Sequence, residues 1–268
     1  MSLGVIGSGH LGSMLVRKFV ETGAIDAGDV IVSNRTPEKA DRLAEATGVR
    51  AATNRVAAEL SDVILICVRP LDVRDAISDI EHLLTPEKLL ISVAGDVSLE
   101  VLRSQCDARV MRAFPSIASE HLKGVTLLAF GDNATAGDRH LAMHLFRAIG
   151  DAVVADEKDF GLLADLTSCA PGYIAAIMRE FVLAAKSRGV GEDLAERLVR
   201  QTMLGTAMLL EDESFQGLIS SVATKGGITE AGIRVILAEA PEMFDRLFQA
   251  THARHEQVRR QVDSQYCR

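Results

Sequence analysis

The chain has 268 residues, of which 48% are hydrophobic, 25% charged and 4% aromatic, with no tryptophan and a net charge of −8. That balance suits one large globular domain or two modest ones, while the acidic charge and scarce aromatics argue against nucleic acid as a partner. The N-terminus carries no basic lead into an apolar core, no apolar run reaches about 18 residues, and Cys67, Cys106, Cys169 and Cys267 lack C-x-x-C spacing; the expectation is a cytoplasmic protein with no membrane span, disulfide framework or metal site.

In chain order, β-rich runs are predicted as strands at Leu3–Ile6, Val30–Ser33, Arg50–Ala52, Val63–Val68, Leu89–Val93, Arg109–Arg112, Val125–Phe130 and Ala152–Ala155. Helix-period segments such as "LGSMLVRKFVETG" and "PEKADRLAEATG" lie between them and stop at Gly23 and Gly48. Near-continuous apolar strands alternating with helices predict a buried, mostly parallel sheet. After about Asp156 the rhythm is helical, with Pro171 expected to break or kink one segment, "EDLAERLVRQTMLGTAMLLED" as another, and "TEAGIRVILAEA" and "PEMFDRLFQATHARHEQVRRQV" following. The predicted fold is therefore α/β: a Rossmann-type dinucleotide-binding domain at 1–155 followed by an all-α domain at 156–268. Its small and apolar helix faces predict either burial against a second subunit, giving a homodimer or larger oligomer, or one self-contained bundle.

The stretch "GVIGSGHLG" places Gly7, Gly9 and Gly12 in G-x-G-x-x-G order, behind the first strand and at the start of the first helix. In that setting the first glycine permits a tight turn, the second admits a pyrophosphate, and the third lets helix and strand approach closely. The helix N-terminus then presents free N–H groups and partial positive charge to the phosphates. At the end of the second strand, NAD binders usually carry Asp or Glu for the ribose 2′-hydroxyl. Here that position reads Ser33, Asn34, Arg35, Thr36, and the first carboxylate, Glu38, is already on the helix. Arg35 can pair with a 2′-phosphate that a carboxylate would repel, so NADP(H) is favoured over NAD(H).

The segments "GVIGSGHLGSML", "SNRTPEKADRL", "DVILICVRP", "LLISVAGDVSLEVL", "VMRAFPS", "LTSCAPGYIAA", "RLVRQTMLGTAMLL" and "SVATKGGITEAGI" stand in the order found in pyrroline-5-carboxylate reductases, which the chain resembles from about Leu3 to Ile236. The last 30 residues add little to the resemblance. It implies NADPH-dependent reduction of a cyclic imine, 1-pyrroline-5-carboxylate to L-proline, by a dimer whose helical domains interlock. It places cofactor positions at Ile6, Gly7, Ser8, Gly9, His10, Leu11 and Gly12, at Ser33, Asn34 and Arg35, at Asn54, at Cys67, Val68, Arg69 and Pro70, and at Val93, Ala94 and Gly95. The substrate loop falls on Thr224, Lys225, Gly226, Gly227, Ile228 and Thr229. Thr229 would bond the ring nitrogen, and Thr224 with the N–H groups near Gly226 and Gly227 would hold the substrate carboxylate. Independently of the family, Gly-Gly ahead of a helix exposes donors suited to an anion, although Thr229 also suits a plain helix cap.

A protonated imine already carries the proton its product amine needs, so reduction asks for orientation more than for a general acid. In agreement, "SCAPGYIAAIMREF" has no Lys where related hydroxyacid dehydrogenases carry a catalytic one; Arg179 is the nearest cation. His10 is expected to line the phosphate loop, Tyr173 to be a packed aromatic, Cys169 to be inert, and His252 with His255 to form a solvated helix face. The chain departs from the family at three places near the expected pocket. Arg112-Ala113-Phe114-Pro115-Ser116-Ile117-Ala118 stands for Arg-Ala-Met-Pro-Asn-Thr-Pro. Thr167-Ser168-Cys169-Ala170-Pro171-Gly172-Tyr173 replaces a Ser-Gly-Ser-Gly-Pro-Ala-Tyr run, and Lys225 replaces a proline. Three readings stay open: a pyrroline-5-carboxylate reductase proper, a sibling imine or keto-acid reductase, or a nucleotide-binding protein without turnover.

Overall fold

Eight strands form one sheet in the computed structural model, which describes residues 1–266. They are β1 (Leu3–Ile6), β2 (Val30–Ser33), β3 (Arg50–Ala51), β4 (Val63–Ile66), β5 (Leu89–Ser92), β6 (Arg109–Phe114), β7 (Gly124–Phe130) and β8 (Gly150–Val154). All eight expected segments are strands, with slightly shifted ends. The order is β3-β2-β1-β4-β5-β6-β7-β8, and every neighbouring pair is parallel except β6 and β7. That exception follows from the link between them, which holds only a 3₁₀ turn at Ile117–His121 and is too short for a parallel crossover. β1 lies between β2 and β4, so the chain leaves it on one side and returns on the other. The crevice beyond the carboxyl ends of β1 and β4 is the switch point where such sheets bind ligands.

The helices α1 (His10–Glu21), α2 (Pro37–Thr47), α3 (Asn54–Glu59), α4 (Val73–Ser78), α5 (Leu99–Ser104) and α6 (Ala136–Arg147) cover the sheet. Strands β1, β2, β4 and β5 are buried at every position, as near-continuous apolar runs require. Side chains alternate between two cores. Val5, Leu65 and Ile91 join Leu15, Phe19 and Phe146 on one face, and Ile64, Ile66 and Leu90 join Ile77 and Leu102 on the other. Gly23 and Gly48, with φ of 69° and 77°, end α1 and α2 as predicted. Thr135 and Asp138 cap α6 reciprocally, and Arg109 of β6 grips the same Asp138 carboxylate at 2.8 and 3.1 Å.

Four further helices follow: α7 (Phe160–Thr167), α8 (Ala170–Lys186), α9 (Glu192–Leu209) and α10 (Phe215–Val222), and the chain closes with α11 (Ile228–Tyr266). No strand occurs after Val154 among the described residues. Pro171 takes the second position of α8, so the predicted break falls at Ser168–Cys169. Glu157–Lys186, which spans α7 and α8, has a mean hydropathy of 1.3 over its most apolar window. By length and composition it is apolar enough to cross a membrane, which corrects the expectation that no run is. The two segments predicted around Pro241 are one helix that runs through the proline.

The described residues divide into two compact units, Met1–Cys169 with 252–266, and Ala170–Thr251. The expected boundary at 155/156 falls just before α7, inside the first of these units. Phe160 and Ala164 of α7 are buried in the first unit, with Phe160 against β7 residues, and Val262 of α11 is fully buried in its second core. In the Ala170–Thr251 unit α8 lies against α9. Leu204, Met208, Leu209, Val235, Ile236 and Leu237 there are each more than half exposed in the single chain. Cys267 lies outside the described residues.

Candidate functional site

The loop from β1 to α1 is built by contact distances that only glycine allows. Gly7 has φ of 106°, and a Cβ there would lie 2.5 Å from the Cys67 carbonyl oxygen. Its N–H donates to the Ser33 carbonyl at 2.9 Å, which ties the loop to β2. A Cβ on Gly12 would lie 2.0 Å from the Gly7 oxygen, so α1 starts as close to the strand as backbone permits. Gly9 is different: it caps α1, and nothing lies within 4 Å of its would-be Cβ. Ser8 is buried, and its Oγ has no partner. A buried orphan hydroxyl, open space at Gly9 and a helix N-terminus without acidic residues fit the phosphates of a dinucleotide.

A cavity of about 530 Å³ runs from Gly7 and Gly9 past Asn34, Arg35 and Thr36 to Asn54, Cys67, Val68 and Arg69. It brings members of the first four groups of expected cofactor residues together at the switch point, while Val93, Ala94 and Gly95 do not line it. Ser33 Oγ donates to Asn54 Oδ1 at 2.8 Å, and Asn54 Nδ2 donates to Asp79 at 3.1 Å, so both residues brace the wall. Arg35 is exposed, with Nη1 3.8 Å from Asp72, and Arg69 Nε bonds the same carboxylate at 2.8 Å. Burial pushes the Cys67 thiol far above its ordinary range, so it lines the cavity as a neutral group. Pro70 opens the 3₁₀ turn Pro70–Asp72, while Leu11 and Gly12 lie inside α1.

Sequence reasoning missed two features. Lys39, on the first turn of α2, lines both this cavity and an adjoining one of about 480 Å³ shared with Ser8, His10, Arg17 and Arg42. His10 lines the second of these cavities beside Ser8 and Gly9. The signal for Lys39 was its place four residues after Arg35, on the helix that follows the β2 loop. The second feature is at Val93, Ala94 and Gly95, the turn after β5, where a Cβ on Gly95 would meet the Phe114 ring at 3.2 Å. The next residue, Asp96, holds a left-handed φ of 58° and bonds His255 Nδ1 at 3.0 Å. His255 is therefore not the solvated residue that its charged surroundings predicted; no local pattern links it to a loop 159 residues away. The Asp96 hydrogen bond raises its pKa above 6.5 against the lowering effect of burial.

In the Ala170–Thr251 unit, Thr224–Thr229 leads into α11. Thr224, Lys225, Gly226, Ile228 and Thr229 are exposed, and Gly226 has φ of 76°. Both glycine N–H groups are engaged. Gly226 donates to Glu230 at 2.6 Å, and Gly227 donates to the Thr224 carbonyl at 2.8 Å. The loop thus already holds a carboxylate, supplied by its own helix. Thr229 sits on the first turn, one residue inside the helix rather than capping it.

These features define a nicotinamide-dinucleotide-dependent oxidoreductase. Residues 2–95 match the family model described as NADP oxidoreductase coenzyme F420-dependent, and residues 157–258 match pyrroline-5-carboxylate reductase dimerisation. The chain is 30% identical over 261 residues to a pyrroline-5-carboxylate reductase of Thermus thermophilus, covering 96% of this chain and 98% of the relative. It is 29% identical over 272 residues to ComE operon protein 4 of Bacillus subtilis, covering 99% of each. The solved structure of a pyrroline-5-carboxylate reductase from Coxiella burnetii matches with a TM-score of 0.89 at 28% identity, over 96% of this chain and 98% of that one. The chain belongs to the pyrroline-5-carboxylate reductase family.

Proposed function

We propose that this protein reduces 1-pyrroline-5-carboxylate to L-proline with NADPH, a step of proline biosynthesis, as a cytoplasmic homodimer joined through its helical half. In this reading residues 1–155 bind the nucleotide and 156–268 bind substrate and partner. The observation that carries it is the pairing, in one chain, of a phosphate cradle shaped by Gly7, Gly9 and Gly12 with the Thr-Lys-Gly-Gly-Ile-Thr loop. The preference for NADPH is supported by Arg35 and Lys39 at the β2 end of the cavity, where a 2′-phosphate would lie. The exposed apolar side chains of α9 and α11 support the dimer.

When bound, the reduced nicotinamide supplies the hydride that makes the imine carbon saturated. The chain's part is to hold the acceptor. Thr229 Oγ accepts a hydrogen bond from the protonated ring nitrogen, which fixes the ring and leaves its proton where the amine product needs it. Thr224 and the backbone donors at Gly226 and Gly227 take the substrate carboxylate. For them to do so, Glu230 must release the Gly226 N–H and the Thr224 carbonyl must release that of Gly227. The protonated substrate makes a separate acid unnecessary, which accords with the absence of a lysine from Ser168–Phe181.

A second reading, a sibling reductase of another imine or keto acid, is favoured by one observation. Ser116, in place of a family asparagine, spends its hydroxyl on the Thr167 carbonyl at 3.1 Å and accepts from the Ala118 N–H at 3.4 Å. It therefore offers no equivalent of the amide. Steady-state oxidation of NADPH and of NADH with 1-pyrroline-5-carboxylate decides between them. Saturable turnover faster with NADPH supports the first reading. Turnover only with other imines or keto acids supports the second, and nucleotide binding without turnover on any of them refutes both.

A further inference from the structure

The last turns of α11 reach the two loops that follow β4 and β5, on the nucleotide-binding unit itself. At the β5 end, His255 Nδ1 lies 3.0 and 3.1 Å from the two Asp96 oxygens, and both side chains are mostly buried. Asp96 directly follows Gly95 and holds a left-handed backbone, uncommon outside glycine though better tolerated by Asp than by most residues. At the β4 end, Arg74 Nη1 donates to the Gln265 carbonyl at 2.5 Å and its guanidinium lies 5.9 Å from the centre of the Tyr266 ring. Gln265 Nε2 donates in turn to the Leu71 carbonyl at 3.4 Å, one residue past the Cys67–Pro70 run. Between these ties, Val258 and Val262 seat the helix on the core of Ile77, Val97 and Leu102.

We propose that His255 and Asp96 are positioning residues for the nicotinamide nucleotide: through them, and through Gln265, the C-terminal turns of α11 brace the Val93–Gly95 and Cys67–Pro70 loops in the shape that receives it. The proposal rests on the cofactor reading above. It gives a role to the segment that adds least to the family resemblance. Neither His255 nor Asp96 need touch the nucleotide. Their effect passes through the backbone of Gly95.

The brace is also sensitive to pH. Three charged groups bear on the imidazole: Asp96 from the β5 loop and Asp165 from α7, which favour its cation, and Arg259 from its own helix, which opposes it. Because the folded-state pKa lies above the ordinary 6.5, the ion pair is complete below 6.5 and is lost as pH rises through the raised value. Affinity for the nucleotide should fall in the same direction.

The test is NADPH and NADH binding to the full chain, read from nucleotide fluorescence at about pH 6 and about pH 9, in wild type, His255→Ala, His255→Gln and Asp96→Asn. Wild type should lose about three- to tenfold more affinity over that range than His255→Gln, for both nucleotides, since NADH has no 2′-phosphate to titrate. At the lower pH, His255→Gln and Asp96→Asn should bind about three- to tenfold more weakly than wild type. Amide hydrogen exchange across 93–97 should be faster in both, with melting temperature little changed. Should His255→Ala fail to fold, the wild-type and His255→Gln curves decide alone. Equal affinity, pH dependence and exchange in wild type, His255→Gln and Asp96→Asn would overturn this inference while leaving the cofactor reading intact. No binding of either nucleotide to wild type would overturn the cofactor reading, and this one with it.

Discussion

Gly9 and Gly12 stand three residues apart, and alanine at each should fail in opposite ways. At Gly12 the new Cβ would lie 2.0 Å from the Gly7 oxygen and 3.0 Å from Cys67 Cβ. Gly7 cannot yield easily, because its N–H is fixed on Ser33 and its own Cβ position is closed by Cys67. The helix must therefore lift from the strand, at a cost of about 3 kcal/mol or more, as in overpacked cores. For a chain of this size that lowers the melting temperature by roughly 6–12 °C. At Gly9 the backbone has φ −75° and ψ −166°, which alanine adopts freely, and its Cβ meets nothing. Loss of the glycine cap and stiffening of the unfolded chain oppose each other, so stability should change by less than about 1 kcal/mol. The methyl would occupy the space assigned to the pyrophosphate, and an overlap of about 1–3 kcal/mol weakens NADPH binding roughly five- to 150-fold. Thermal unfolding and NADPH titration of both variants separate the two effects. A Gly9→Ala protein that binds NADPH as wild type does would show that the phosphates do not pass over this loop.

Arg35→Ala should raise the KM for NADPH about tenfold and that for NADH less than about twofold; equal increases in steady-state assays would remove the 2′-phosphate from this corner. Thr229→Ala should lower kcat/KM for the imine about tenfold or more while NADPH affinity stays constant, and unchanged turnover would dismiss the loop assignment. Asp138→Asn should destabilise the first unit by about 2–4 kcal/mol near neutral pH, measured by urea unfolding, because it strands a half-buried Arg109. Burial alone would raise the Asp138 carboxyl, but hydrogen bonds from Arg109 and Thr135 outweigh it and hold the group below its ordinary 3.8. The stabilisation is thus full above that value and lost as pH falls through the depressed one; an equally steep acid limb in Asp138→Asn would contradict the assignment.

The sheet was legible because its signals are local. Runs such as Val63–Ile66 are apolar at every position, and Gly23 and Gly48 mark where helices must stop. The loop from β1 to α1 was legible because its backbone needs glycine at positions 7 and 12, and Gly9 keeps the space between them open. Arg35 followed from charge alone, but its partner Asp72 did not, since the chain between them folds through α2, β3, α3 and β4 before the two side chains meet. Pro241 misled by its reputation as a breaker: the helical pattern on both sides overrides it within α11. The contact between Asp96 and His255 was beyond sequence reasoning. Either residue read in its own neighbourhood is an ordinary surface charge, and only the return of α11 to the first unit joins them.

That return has a consequence for synthesis. The nucleotide-binding unit is discontinuous: its last helical turns are made after all of Ala170–Thr251. While a ribosome adding about 5–20 residues per second produces the intervening helices, the patch around Ile77 and Leu102 waits on the order of ten seconds without Val258 and Val262 to cover it. A nascent chain stalled before this segment therefore presents a bare greasy surface to chaperones until Val258 and Val262 have emerged to cover it.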